Sequence, residues 1–117
     1  MLPCSILGTR RPLSPAVLHI LLALADGAAH GYAIKQEAEM RSEGSVRLGP
    51  GTLYTAIQRL LDAQLVRETD ADRDPANGQE AQRRYYELTA RGRRLLKEEV
   101  AYLTRLAAYA RGKQQTV

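Results

Sequence analysis

The sequence predicts a mainly α (α+β) fold, a winged helix-turn-helix with a long C-terminal dimerisation helix. Three observations predict it. Helix-period apolar stripes recur over 15–25, 31–42, 50–63 and 89–111. Two strand-like runs flank a polar stretch, 69–82, that contains Pro75 and Asn77–Gly78, the pattern of a hairpin with a long tip. The chain has 117 residues, enough for one small domain plus an appended element but not for two full cores. The expected organisation is a flexible basic arm over 1–12, the winged domain over 13–88, a dimerisation helix over 89–112 and a disordered tail over 113–117.

The first helix starts at Ser14–Pro15, with Ser at the N-cap and Pro in the first turn. It carries Val17, Leu18, Ile20, Leu21, Leu22 and Leu24 and stops at Asp26–Gly27. It is apolar nearly all round, so one face needs a partner beyond its own small core. The second helix runs from Gly31 to about Ser42, with Tyr32, Ile34, Ala38 and Met40 as a weak apolar stripe. A turn at Glu43–Gly44–Ser45 leads to a very short expected strand, Val46–Arg47–Leu48. Gly49–Pro50–Gly51–Thr52 opens the third helix, with Leu53, Ile57, Leu60 and Leu61 on its inner face. Leu65–Glu68 and Arg83–Leu88 are the hairpin strands, with Tyr86 and Leu88 on one face. Thr89 caps the last helix, about 33 Å long. Its stripe of Leu96, Val100, Leu103, Leu106, Ala107 and Ala110 is close to a heptad seam. With Val17, Leu18, Leu21 and Leu22 it forms the candidate homodimer interface.

Apolar residues make up 44% and charged residues 26% of the chain, a globular balance. Lys plus Arg number 17 and Asp plus Glu 13, a net charge of +4, which fits a nucleic-acid partner without requiring one. One cysteine, Cys4, and two histidines are too few for an in-chain disulfide or a four-ligand zinc site. A reducing compartment, the cytoplasm, is expected, and no cofactor. Arg10–Arg11 ahead of Ala16–Ala25 mimics a twin-arginine signal. That stretch is interrupted by His19, approached through Pro12 and Pro15, and far short of the roughly 20 residues that span a membrane. The first helix accounts for it better, so no membrane partner is expected.

In this order of elements the third helix is the reader in a DNA major groove and the hairpin is the wing. Thr52, Thr55 and Gln58 can hydrogen-bond base edges, Arg59 can take guanine or phosphate, and the Tyr54 hydroxyl can hold a phosphate. The free amides at Gly51 and Thr52 favour an anion. Lys35 and Gln36, on the second helix, are weaker candidates for the backbone. The region 67–82 sets Arg67 and Arg73 against Glu68, Asp70, Asp72, Asp74 and Glu80, a net of −3. Wing contacts are therefore expected from Arg83 and Arg84, not from the tip.

Pro50–Gly51–Thr52–Leu53–Tyr54 with Ile57 and Arg59–Leu60, His30–Gly31–Tyr32–Ala33–Ile34, and Arg84–Tyr85–Tyr86–Glu87–Leu88–Thr89–Ala90–Arg91–Gly92 together resemble the PadR-like transcriptional regulators over residues 13 to about 96. The resemblance implies a dimeric DNA-binding repressor of the family's smaller branch, paired through its first and terminal helices. Two departures stand out. Gln64 stands where the family usually has Gly, so a left-handed turn there would cost about 1 kcal/mol. Thr55 stands where the family often has Pro. The chain has no Trp, so the indole clamp by which some relatives hold flat aromatic drugs does not carry over to Tyr102 and Tyr109. A small-molecule effector of unknown identity is left open.

Each candidate also has a plainer reading. Tyr54 can pack on the second helix. Arg59 can pair with Asp62. Arg91, Arg93, Arg94 and Lys97 oppose the dipole of the last helix, which points either to an external anion or to a solvated face. His30 is expected to be a structural turn residue, His19 a satisfied core or interface histidine and Cys4 an incidental thiol. The alternative function is a winged-helix module that binds a protein. An enzyme is not expected, since no paired carboxylates, Ser/His/Asp set, phosphate loop or metal cluster stands out.

Overall fold

The computed structural model describes residues 13–69 and 84–114. The expected arm, hairpin tip and far tail, together with Arg83, lie outside the described residues. Helix α1, Pro15–Ala23, starts as its sequence dictates: Ser14 Oγ accepts from the Val17 amide at 3.2 Å, and Pro15 fills the first turn. It ends two residues before Ala25. Ile20, Leu21 and Leu24 are fully buried, while Val17, Leu18 and Leu22 are only half-buried.

Strand β1, Ala29–His30, leads directly into α2, Gly31–Arg41. His30 caps α2, its Nδ1 accepting from the Ala33 amide at 3.2 Å, and its ring meets Tyr85 edge-on. The inner face of α2 is Gly31, Ile34 and Ala38. Tyr32 and Met40, expected in that stripe, are exposed, Met40 by 75%. At 100° per residue neither shares the azimuth of a 31–34–38 face.

The expected strand at 46–48 does not form. The Val46 amide donates to Ser42 Oγ at 2.9 Å and the Leu48 amide to Glu39 Oε2 at 3.4 Å. Side chains thus satisfy the donors a ladder would have used, and Leu48 drops its side chain into the core. Glu39 is also bound by Lys35, at 3.1 Å. The hydrogen bond from Lys35, above all, holds its carboxyl below the usual carboxylate range.

Helix α3, Pro50–Asp62, buries Leu53, Ile57 and Leu60. Behind it come β2, Val66–Thr69, and β3, Tyr85–Leu88. The sheet order is β1–β3–β2, antiparallel throughout, with Arg67 opposite Glu87 and Glu68 opposite Tyr86. Tyr86 and Leu88 face the core as the alternation predicts. The third strand that completes the sheet is β1, not 46–48.

Helix α4, Ala90–Gln114, has 25 residues and is about 37 Å long. Thr89 joins it to the end of α3. Its Oγ1 donates to the Gln64 carbonyl at 2.7 Å and accepts from the Gly92 amide at 3.0 Å. Gly92 lies so close to the Leu65 carbonyl that a Cβ would collide with it. Gln64 takes φ 63°, the left-handed turn expected there. Leu96 and Glu99 are the last side chains of α4 buried in the protomer, and Glu99 accepts from the Leu13 amide at 3.1 Å. Two residues assigned to the dimer interface therefore belong elsewhere: Leu21 and Leu96 are buried in the protomer's own core. Of the others, Val17, Leu18, Leu22 and Leu103 are half-buried and Val100, Leu106, Ala107 and Ala110 exposed.

Candidate nucleic-acid interface

Helix α3 presents an exposed ridge of Gly51, Thr52, Thr55, Gln58 and Arg59, with Tyr54 leaning to one side. The inner spacing Leu53–Ile57–Leu60 turns these residues outward. An open cleft flanks the ridge on each side. One, of about 570 Å³, is lined by Ser14, Val17, Thr52, Thr55 and Arg59 among others. The other, of about 490 Å³, is lined by His30, Gly31, Tyr32, Tyr54, Arg84 and Tyr86. A convex polar helix between two grooves is the shape that enters a major groove while the phosphate strands run past its sides.

Tyr54 is half-exposed, and its hydroxyl sits over Gly31 so closely that any side chain there would displace it. It packs on α2 and still opens to the cleft, so the two readings of this residue are compatible. Arg59 does not pair with Asp62. The Asp62 carboxylate accepts instead from Gln58 at 3.0 Å, and among the described residues Arg59 has no ion-pair partner. Lys35 is held by Glu39, and Gln36 donates to the Tyr32 hydroxyl at 3.3 Å. Arg84 is exposed and lies 3.5 Å from Glu68.

The basic cluster at the start of α4 divides. Arg91 donates to the Ala63 carbonyl at 3.3 Å and Arg93 to the Ala25 carbonyl at 3.4 Å. Both cations meet carbonyl oxygens just past the ends of α3 and α1, where positive charge is favourable. The opposed dipole of α4 is the cost of closing two other helices. Arg94 and Lys97 are solvated. His30, expected as a structural turn residue, is the N-cap of α2. His19, expected to be satisfied, has a buried Nδ1 without a hydrogen-bond partner among the described residues. Sequence reasoning passed over Tyr86 and Glu68 as parts of the site. Their signal was available in the strand alternation, which sets both on the face that Arg84 shares.

Among the described residues no three of His, Cys, Asp and Glu come together as metal ligands, and no helix is long and apolar enough to cross a membrane.

Residues 20–98 match the family model of the transcriptional regulator PadR-like family. The chain belongs to that family. Solved structures share the fold of this PadR-like chain. A transcriptional regulator from Clostridium thermocellum is 22% identical, with a TM-score of 0.65 and coverage of 84% of this chain and 87% of that one. A PadR-like transcription factor from Bacteroides fragilis is 26% identical, with a TM-score of 0.60, 82% of this chain and 86% of the other being covered. RosR of H. salinarum is 20% identical, with a TM-score of 0.63 and coverage of 92% and 98%. A curated relative, an uncharacterized 37.1 kDa protein in transposon TN4556 of Streptomyces fradiae, is 41% identical over 92 residues. Those residues are 79% of this chain but 24% of the relative, so the PadR-like chain spans about a quarter of that protein's length.

Proposed function

We propose that this PadR-like protein is a homodimeric, sequence-specific DNA-binding regulator of transcription, acting in the cytoplasm as a repressor. One α3 from each protomer enters the major groove, and the two lie one helical turn, about 34 Å, apart on a pseudo-palindromic operator. The β2–β3 hairpin serves as the wing. The observation that carries the reading is the polar ridge of α3 between its two clefts, with Arg59 in no ion pair among the described residues and the Tyr54 hydroxyl poised over α2. The partner for each protomer is a second copy. On the distal stripe of α4, Val100, Leu106, Ala107 and Ala110 face solvent and Leu103 is half-buried, and Val17, Leu18 and Leu22 offer α1's second face to the same pairing. A small-molecule effector would act through the angle that α4 sets between the two winged domains, to the extent that it binds one angle better than another.

Selection of bound sequences from random duplex DNA tests the reading: an inverted repeat is expected. Tyr54→Ala and Arg59→Ala should each weaken binding to the selected duplex by about 1–3 kcal/mol, roughly 5- to 150-fold, with the dimer intact by light scattering. Affinity should fall steeply with salt. Enrichment without symmetry, or wild-type affinity in both variants, overturns the assignment. Salt-insensitive, sequence-blind behaviour favours a protein partner.

A further inference from the structure

The β2–β3 ladder carries two cross-strand ion pairs of different character. Arg67 and Glu87 lie directly opposite one another, 2.6 Å apart, and Glu87 is largely covered. Arg84 and Glu68 lie on the other face, 3.5 Å apart, with side chains 73% and 49% exposed. The first pair is locked. The second is long and wet, the kind that contributes little and exchanges readily.

The loose pair sits at the mouth of the cleft between α2 and β3. Arg84 lines that cleft with Tyr54 and Tyr86, whereas Glu68 does not line it. Glu68 reaches Arg84 from the β2 position opposite Tyr86. Tyr86 is buried, and burial first, then the negative charge of Glu68, push its phenol above the ordinary range. It stays protonated and able to donate at neutral pH. The lining thus offers a guanidinium and phenol hydroxyls, the donor set for a phosphodiester. Among the described residues the carboxylate on Arg84 is that of Glu68, and it sits where such an anion would compete.

We propose that Glu68 is an intramolecular stand-in for a DNA phosphate. It holds Arg84 in the free protein, and one backbone phosphodiester displaces it to sit between Arg84 and Tyr54. Arginine favours that exchange, because its planar fork meets phosphate oxygens two at a time. Glu68 therefore sets the threshold of DNA affinity without touching a base. The inference rests on the DNA-binding reading above and adds to it a residue that opposes binding.

The test measures binding of the full-length dimer, by fluorescence anisotropy, to the duplex selected by the wild type. Glu68→Gln should tighten binding about three- to fivefold and steepen the slope of log affinity against log salt by about one. Glu87→Gln removes the same charge from the opposite face and should change affinity less than twofold. In an Arg84→Ala background the gain from Glu68→Gln should vanish. A Glu68→Gln protein that binds no better, an equal gain from Glu87→Gln, or a gain that survives loss of Arg84 overturns this inference alone. A wild type that binds no duplex overturns the DNA reading and takes the inference with it.

Discussion

The first turns of α4 press on backbone, while its last turns carry apolar side chains into solvent. At the proximal end Gly92 touches the Leu65 carbonyl, Thr89 and Arg91 bond the exit of α3, and Glu99 holds the start of α1. Beyond Glu99 the helix leaves its own domain, and the molecule reaches 57 Å in one dimension against 33 and 24 Å in the others. One heptad-like stripe therefore does two jobs. Its first member, Leu96, completes the chain's own core, and its later members are those that the proposed homodimer would cover with a second copy. The bolted junction also makes α3 and α4 one mechanical unit: in the proposed homodimer, a change in how the two α4 helices cross would carry the α3 helices with it.

The sharpest way to separate the two halves is Leu103→Glu. In the proposed homodimer it places an unpaired charge in the seam, which costs on the order of 3–5 kcal/mol. The dimer dissociation constant should rise at least about a hundredfold, read by sedimentation equilibrium. Thermal melting of the protomer should barely move, since Leu103 lies beyond the core. A variant that stays dimeric would relocate the pairing face.

Gly92→Ala attacks the other half. The added methyl meets backbone, which cannot swing aside as a side-chain tip can, so α4 must lift from the β2 corner. Overpacking of this kind costs about 1–3 kcal/mol, a fall in Tm of roughly 5–15 °C for a domain of this size. Unchanged melting would show that the junction is looser than the contact with Leu65 implies. Because the junction ties α4 to α3, DNA affinity should fall as well.

What the sequence made legible was whatever is decided locally. Ser14–Pro15, Gly49–Pro50 and Thr89 announced three helix starts, because a cap is satisfied within three or four residues of itself. The ridge of α3 followed from its inner spacing. Legibility failed where the partner is distant in the chain. Strand β1 is two residues long and exists by pairing with Tyr85 and Tyr86, whereas 46–48 looked like a strand but gives two of its amides to Ser42 and Glu39. Arg91 and Arg93 looked available to an external anion until their carbonyl partners on other elements were in view. Leu21 and Leu96 were misassigned because a helix apolar all round does not say which face its own core takes. Glu99 is 1% exposed, and nothing in its local spacing distinguishes it from a solvated helix residue.

The smallest effect sharpens the comparison at the joint itself. Gln64 bears φ 63° at the corner where α3 hands over to β2. A non-glycine residue in that region is held at a cost of about 1–2 kcal/mol. Gln64→Gly removes the strain and gives back up to about 1 kcal/mol through the greater freedom of glycine in the unfolded chain. The bonds that close the corner survive, because Thr89 and Arg91 reach backbone carbonyls of Gln64 and Ala63. The contact that is lost, Arg91 with Gln64 Oε1, is exposed and 3.5 Å long. A net gain of about 0.5 kcal/mol is expected, seen as a higher urea midpoint with an unchanged slope. A lower midpoint would mean that the Gln64 side chain, through Arg91, contributes more to the corner than its backbone strain takes away.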